Sequence, residues 1–212
     1  MAEISSHPPV AKPRRSRLNA ADRRASIVAA ATAVFAESGY QRGKMSQVAE
    51  RLGVTEPVVF QNFGSKAALY AAVIEQVSRQ MCAVVRDTTA AAGSVSGVLA
   101  LILRPGHLDE LHEQGSVGVI FADAMSLSTE PVVQQAAQRG IRQLAEALGE
   151  VLEQGQAAGE VSGALAPDAG AWWLLCLMAS YGFRSAAMPD RERLEAELSS
   201  LTLSVLTGGA GR

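Results

Sequence analysis

The chain has 212 residues, of which 48% are hydrophobic, and a formal net charge of -2 at pH 7. A chain of this length and apolar content can bury a substantial core, which argues against intrinsic disorder. The two cysteines, Cys82 and Cys176, lie 94 positions apart, with no CxxC pair and no histidine cluster nearby. This spacing favours neither a disulfide framework nor a zinc site, and we expect a protein of the reducing cytoplasm.

The apolar segments are too short to predict a membrane span. The longest charge-free apolar stretch, residues 169–183, has 15 residues, whereas a spanning helix needs roughly 20. The N-terminus is basic and rich in proline, without the apolar core of an export signal. We therefore expect no contact with a membrane.

Charge is distributed unevenly along the chain. Residues 1–66 contain 10 Lys and Arg against 5 Asp and Glu, whereas residues 67–212 contain 9 against 16. A basic N-terminal third suggests contact with a polyanion, because phosphate neutralisation supplies most of the sequence-independent affinity for nucleic acid. A solvated basic tail is the alternative. Residues 1–18 have no apolar periodicity and are predicted to form a disordered basic arm.

Helical periodicity begins near residue 20 and continues along the chain. We predict helices at residues 20–38, 45–52, 56–62 and 66–91, with Gly39 ending the first of them. Breaks rich in glycine or proline then separate further helical segments. These breaks are Ala92-Gly93, Pro105-Gly106, Glu130-Pro131, Gly159 to Gly163, Ala166-Pro167 and Pro189. Because no long alternating segment of β-branched residues is present, the predicted fold is all-α.

Residues 45–63 have the pattern of a helix-turn-helix. Two short helices that cross steeply need a small residue at their closest approach and a glycine in the turn, and Ala49 and Gly53 stand at these positions. Gly53 can adopt the left-handed conformation that ends a helix, and Thr55 is placed to cap the next one. Apolar residues lock the pair together: Val48, Leu52, Val54 and Val59. The second helix would read the DNA major groove, although a helical hairpin with another purpose also fits.

These segments resemble the tetracycline-repressor (TetR) family. The resemblance covers roughly residues 23–70 and rests on five spaced elements: residues 27–40, Val48-Ala49, Gly53-Val54, residues 60–63 and residues 65–69. It implies a homodimeric, sequence-specific transcription regulator, a repressor that a ligand releases from a pseudo-palindromic double-stranded operator. An N-terminal three-helix DNA-binding domain at residues 19–66 would be joined by a long helix to a helical ligand-binding and dimerisation domain at residues 67–212.

Lys66 is the strongest candidate for a phosphate contact. It lies in the first turn of a helix, where the helix dipole disfavours a cation unless an anion lies beside the free N–H groups. An ordinary exposed lysine is the alternative. Around the reading helix, Gln can pair with adenine and Glu can accept from cytosine N4. The candidate reading residues are Thr55, Glu56, Gln61 and Asn62.

Three positions depart from the usual TetR pattern. Gly43-Lys44 stands where the family commonly has two hydroxyl residues, Phe60 replaces a phosphate-binding tyrosine, and Glu56 replaces a residue that is often basic or small. Lys44 can exchange a hydroxyl contact for a charged one, but Phe60 cannot donate a hydrogen bond. Basic residues of the arm would compensate by following phosphates or entering the minor groove: Arg14, Arg15 and Arg17.

The last helices, predicted at about residues 167–187 and 190–207, carry a stripe suited to helix packing. In the TetR family such helices form a four-helix bundle between two protomers, and burial in the core of one protomer is the alternative. Small residues allow close approach, and apolar residues step by 4, 3 and 4. The dimerisation candidates are Ala179, Gly182, Ala186, Leu194, Leu198, Leu201 and Val205.

The middle helices carry large or polarizable side chains that suit an apolar or aromatic ligand. The pocket candidates are Phe121, Met125, Trp172, Trp173, Cys176 and Met178, with ordinary core packing as the alternative for each. A metal site at His107, Asp109 and His112 is disfavoured, because a five-residue step turns a helix by about 140°. We predict no cofactor.

The sequence offers no pattern that would favour an enzyme. A nucleophile with a base, a pair of carboxylates or a phosphate loop would be needed, and none stands out at a suitable spacing. The more serious alternative is a helical ligand-binding protein that has lost or weakened DNA binding. In the regulator mechanism, a ligand between the middle helices would shift the helix at 66–91 and change the separation of the two reading helices.

Overall fold

The computed structural model describes residues 19–104, 106–112, 117–126 and 130–209, so the predicted arm with Arg14, Arg15 and Arg17 lies outside the described residues. The described residues form eleven α-helices and contain no β-strand, which confirms the predicted all-α fold. In chain order these are α1 (Ala20–Arg42), α2 (Met45–Leu52), α3 (Glu56–Phe63), α4 (Lys66–Ala92), α5 (Val95–Ile102), α6 (His107–His112), α7 (Val117–Ser126), α8 (Pro131–Ala157), α9 (Pro167–Ala179), α10 (Tyr181–Ala187) and α11 (Arg191–Thr207).

Helix α1 begins at a side-chain cap and is broken near its end. The Asn19 side chain accepts a hydrogen bond of 2.8 Å from the Asp22 N–H, which satisfies one of the free amides of the first turn. Gly39 has φ 70° and ψ 172°, which is not helical, and one more turn follows it to Arg42. The predicted end at residue 38 therefore coincides with the break rather than with the last helical residue.

Helices α2 and α3 form the predicted helix-turn-helix. Gly53 adopts the predicted left-handed conformation, with φ 65° and ψ 34°. Val48, Ala49 and Val59 are buried between the helices, so their faces are locked to the core. The prediction for the Thr55 cap is corrected: Thr55 occupies the cap position, but its side chain makes no capping hydrogen bond. The first turn of α3 is instead supported by the Val58 N–H, which donates to the Thr55 carbonyl at 3.0 Å.

The long helices α4 and α8 pack against each other and join two hydrophobic clusters. The first cluster combines α1, α2 and α3 with the beginning of α4, with α7 and with the beginning of α8. The second combines the end of α4 with α5, the later part of α8, α9 and α11. Gly140 permits close approach of the two long helices, since a Cβ there would lie 2.1 Å from Ser78 Oγ. The first cluster thus extends across the predicted domain boundary at residue 66.

The C-terminal helices differ from the prediction at one position. The segment predicted as one helix over residues 167–187 is divided at Ser180, which has φ -79° and ψ 2°. The buried guanidinium of Arg184 donates to Glu195 Oε1 at 2.9 Å and so ties α10 to α11. Among the described residues, no helix is both long enough and apolar enough to cross a membrane.

Candidate nucleic-acid interface and ligand cavity

Helix α3 presents one face to the core and the opposite face to solvent. Val59 and Phe63 are buried, whereas Glu56, Phe60 and Gln61 are exposed. The exposed set arises because these residues lie on the side of the helix turned away from α1 and α2. It includes three of the residues predicted to contact DNA, and their side chains are free of the core.

The predicted reading residue Asn62 is turned toward its own helix. It is half-buried, and its Nδ2 donates to the Val58 carbonyl at 2.7 Å. The Asn62 carbonyl accepts a hydrogen bond from Arg24, whose guanidinium lies 4.2 Å from the centre of the Phe63 ring. Arg24 therefore fixes the end of α3 to α1. Sequence reasoning missed Arg24, and only its place in the basic N-terminal third could have indicated it.

Lys66 is the first residue of α4, as predicted, and is held in place by the end of α1. Its Nζ donates to the Gln41 carbonyl at 3.2 Å and lies 4.5 Å from the centre of the Tyr40 ring. Burial lowers the pKa of Lys66, and the carboxylates of Asp123 and Glu130 oppose this shift. The ammonium is thus half-buried and oriented by neighbours before any anion approaches.

The other predicted cation, Lys44, is exposed just before α2. Its backbone N–H donates to Gln47 Oε1 at 2.8 Å, which fixes the backbone of the turn while leaving the exposed side chain at the surface. Arg51, on the same short helix, is paired with Glu37 at 2.9 Å. Positive charge around α2 and α3 is therefore supplied by the half-buried Lys66 and by the exposed Lys44 and Arg24. The charge of Arg51 is balanced by Glu37.

A cavity of about 630 Å³ lies between α4, α5 and α8 and extends to His107 and Met178. Aliphatic side chains supply most of its wall, and burial lowers the pKa of His107, which favours the neutral form of its imidazole. The lining residues are Val77, Gln80, Met81, Ala83, Val84, Val85, Asp87, Thr88, Val98, Leu101, Ile102, His107, Leu144, Leu148 and Met178. Such a lining suits an apolar molecule.

A second cavity, of about 310 Å³, adjoins the first through the shared wall residues Ile102 and Met178. It lies between α9 and α11 and is more polar. Arg191 pairs with Asp109 at its rim, and Arg104, which also lines it, is paired with Glu110 at 2.8 Å. Another charged lining residue, Glu195, is paired with Arg184 of α10 at 2.9 Å.

The six residues predicted to line one pocket are not brought together. Only Met178 among them lines the two cavities described above. Phe121 packs against the first hydrophobic cluster, and Met125 is 59% exposed. The prediction is also corrected for three residues of α9 that lie at the surface: Trp172, Trp173 and Cys176. They project outward because Ala171 and Leu174, on the opposite face of α9, are the residues packed in the core.

Sequence reasoning missed most of the wall that α4 contributes to the larger cavity. Val77, Met81, Val84 and Thr88 recur at intervals of three or four residues and line it. This stripe of apolar residues is visible in the sequence and could have indicated a wall of the cavity. Because α4 was predicted as the helix that joins the two domains, none of its residues was named as a pocket candidate.

The dimerisation candidates lie on a surface that is largely apolar and exposed. Ala179, Gly182 and Ala186 are exposed, together with Leu201 and Val205. Two members differ: Leu194 and Leu198 are half-buried, and Leu198 lines the smaller cavity. Helices α9 and α10 also carry exposed aromatic side chains that sequence reasoning did not assign to dimerisation: Trp172, Trp173 and Phe183, which are 47%, 52% and 75% exposed.

The described residues contain no group of three His, Cys, Asp or Glu side chains placed to hold a metal ion. His107 and Asp109 line different cavities, since His107 faces the larger and Asp109 the smaller one. The side chain of His112 lies outside the described residues.

Two sequence comparisons match the N-terminal part of the chain. The model of the family described as bacterial regulatory proteins, tetR family, matches residues 27–73. A curated relative, the HTH-type transcriptional activator FasR of Mycolicibacterium smegmatis, is 41% identical over 63 residues. That match covers 30% of this chain and only 29% of the length of FasR.

Solved structures match the fold over most of the chain. The transcriptional regulator FadR of Bacillus subtilis, crystallised with stearoyl-CoA, is 17% identical with a TM-score of 0.65, covering 86% of this chain and 98% of FadR. A TetR-family regulator of Agrobacterium tumefaciens is 16% identical with a TM-score of 0.69, covering 89% of this chain and 100% of that protein. Residues 27–73 are therefore similar to the tetR family of bacterial regulatory proteins, and the solved structures show that the chain shares the fold of such regulators.

Proposed function

We propose that the chain is a sequence-specific DNA-binding transcription regulator that acts as a homodimer. The observation that carries this proposal is the exposed face of α3, on a helix whose opposite face is locked by buried Val59 and Phe63. Rigid support of this kind is what a helix in the major groove requires. Residues 19–66 would bind DNA, and residues 67–212 would dimerise and bind a ligand.

Each exposed group near α3 has a role that its chemistry supports. Gln61 and Glu56 can hydrogen-bond to base edges, and the exposed ring of Phe60 can contact a thymine methyl group. Lys66 and Lys44 would neutralise phosphates, which sets affinity without reading sequence. Phe60 thus gains a function that replaces the hydrogen bond it cannot donate.

The apolar surface of α9, α10 and α11 supports the homodimer. Its three aromatic residues alone expose on the order of 400 Å², taking about 200 to 250 Å² for each complete side chain. This area lies in the range of about 300 to 600 Å² for the largest apolar patch of a typical monomer, and such a patch is often functional. A two-fold dimer would place the two copies of α3 about 34 to 36 Å apart, in successive major grooves of a pseudo-palindromic operator.

The larger cavity supports control by an apolar ligand. Its wall includes α4, which begins at Lys66 and also packs against α1 and α3. We consider two states of the protein that differ in the position of α4 and in DNA affinity. A ligand that binds one of these states more tightly shifts the population toward it, and the change in DNA affinity is limited by the ratio of the ligand's affinities for the two states. The structure of FadR with stearoyl-CoA is consistent with an apolar ligand in a fold of this kind. We propose repression that the ligand relieves.

The proposal is tested by selecting duplexes from a random DNA pool with the purified protein at near-physiological salt. Enrichment of an inverted repeat, bound by a species of twice the 22.2 kDa chain mass in light scattering, is the expected result. No enrichment together with no salt-sensitive binding would favour the alternative, a helical ligand-binding protein without DNA affinity.

The direction of regulation is tested separately with a reporter gene placed behind the selected operator. Repression predicts that the protein lowers reporter expression. Higher expression would instead assign the activator role that the name of FasR carries.

A further inference from the structure

The break in α1 at Gly39 brings the chain into contact with α7, which lies far away in sequence. The Tyr40 N–H donates a hydrogen bond to Asp123 Oδ2. A Cβ at position 39 would lie 2.8 Å from that same oxygen, and Gly39 has a positive φ that side chains rarely adopt. The approach of Asp123 to the backbone therefore depends on glycine at this position.

One further hydrogen bond and a ring contact hold the same end of α1. The Tyr40 hydroxyl donates to Glu130 Oε1 at 3.2 Å, just before α8. The hydroxyl of the buried Tyr70 donates to the Ile120 carbonyl of α7 at 3.0 Å, and its ring centre lies 4.9 Å from that of Tyr40. Tyr40 is thus fixed through its backbone, its hydroxyl and its ring.

The residues held in this way are the ones that orient the Lys66 ammonium. Lys66 Nζ lies over the Tyr40 ring and donates to the carbonyl of Gln41, the next residue along the chain. Asp123 and Glu130 also act on Lys66 directly, because their negative charges favour its protonated form. Both the geometry and the charge of the ammonium therefore depend on groups of α7 and of the turn before α8.

We propose that Asp123 is a positioning residue for DNA binding: it holds the Tyr40-Gln41 backbone so that the Lys66 ammonium faces a DNA phosphate. This inference rests on the proposed function and adds to it a residue that does not touch DNA. It makes the position of α7 a determinant of the contact that Lys66 makes at the start of α4.

Two variants of Asp123 separate its hydrogen bond from its charge. Asp123→Ala removes the acceptor and the charge, whereas Asp123→Asn keeps an acceptor oxygen of the same shape. Glu153→Ala removes one exposed carboxylate near the far end of α8 and is the matched control. Thermal melting and light scattering establish that each variant folds and keeps the oligomeric state of the wild type.

The first measurement needs no DNA. The unmodified chain is labelled briefly with an amine-reactive acetylating reagent, and mass spectrometry compares Lys66 with the exposed Lys44 in the same molecule. Asp123→Ala should raise the relative labelling of Lys66 severalfold. Asp123→Asn keeps the acceptor but loses the charge that favours the protonated amine, so it should raise the labelling less, and Glu153→Ala should leave it unchanged. Equal labelling of Lys66 in the wild type and in Asp123→Ala would overturn the proposal.

The second measurement uses the operator duplex enriched in the selection. Asp123→Ala should reduce the ratio of the affinities at 50 and 200 mM salt about tenfold. The two Lys66 phosphate contacts of a dimer contribute about 1.8 to the slope of log affinity against log salt, and the variant should lose this contribution. Adding Lys66→Ala should produce no further loss. Additive losses, or wild-type binding by Asp123→Ala, would overturn the proposal. If the wild type binds no duplex but Asp123→Ala still raises the labelling of Lys66, the proposed function is rejected and the positioning of Lys66 by Asp123 is retained.

Discussion

Lys66→Ala tests whether the first residue of α4 contacts a DNA phosphate. In the free protein the ammonium is already fixed by the Gln41 carbonyl at 3.2 Å and by the Tyr40 ring, so little side-chain entropy remains to be lost on binding. A homodimer carries two such contacts. Their removal should lower the slope of log affinity against log salt by about 1.8, because each neutralised phosphate contributes about 0.9.

This change is measured by fluorescence anisotropy with a labelled operator between 50 and 200 mM salt. The ratio of the affinities at the two ends of this range should fall roughly tenfold, and unrelated duplexes should be weakened as much as the operator. Arg142→Ala, which removes an exposed cation of α8 far along the chain, is the matched control. A folded Lys66→Ala dimer with the wild-type slope would show that Lys66 makes no phosphate contact and would remove it from the interface.

Four further predictions concern base reading, assembly, packing and pH. Gln61→Ala should change the preferred base at one position of each half-site, by roughly 1 to 3 kcal/mol, and repeated selection with the variant detects this; equal weakening of all duplexes would make Gln61 a backbone contact. Phe183→Glu places a charge on a side chain that is 75% exposed on α10, and light scattering should then report monomers, whereas a persistent dimer would place the interface elsewhere. Gly140→Ala should destabilise the fold by about 1 to 3 kcal/mol in urea unfolding, since the added Cβ would lie 2.1 Å from a serine oxygen of α4, while Gly149→Ala on the same helix meets no atom within 4 Å and should be neutral or stabilising. Burial, and to a smaller extent the charge of Glu130 and its hydrogen bond to the Tyr40 hydroxyl, raise the pKa of Tyr40 to about 12. The stability that Tyr40 contributes by staying protonated is therefore complete below pH 10 and lost as the pH rises toward 12. The difference in unfolding free energy between the wild type and Tyr40→Phe should shrink across that window, and a constant difference would contradict the assignment.

The helices α1 to α3 were predictable because the residues that begin and end them act locally. Residues 45–52 were predicted as a helix and form Met45–Leu52, and Gly53 adopts the expected left-handed conformation. Glycine, proline and capping residues act on the backbone of their immediate neighbours, so their effects can be read without knowledge of the rest of the chain. The same reasoning placed Lys66 at the start of α4.

The faces of the C-terminal helices were not predictable in the same way. Helix α9 is apolar on nearly every side, so its periodicity does not indicate which side meets the core. Trp172 and Trp173 were assigned to a pocket, yet Ala171 and Leu174 are the residues that pack inward. On such a helix the buried face is chosen by the shapes of α8 and of the neighbouring helices, which are non-local.

The helical class, the helix-turn-helix and the candidate cations around it could be inferred from the sequence, since each depends on residues a few positions apart. The apolar side chains that line a cavity could be told from those at the surface only once the helices were packed together. The tertiary structure alone also joined Tyr40 to Asp123, 83 positions away. A contact over that distance forms only when whole helices pack against one another. Burial stabilises any apolar face that fits its neighbour, so the local sequence pattern does not indicate which distant helix will be that neighbour.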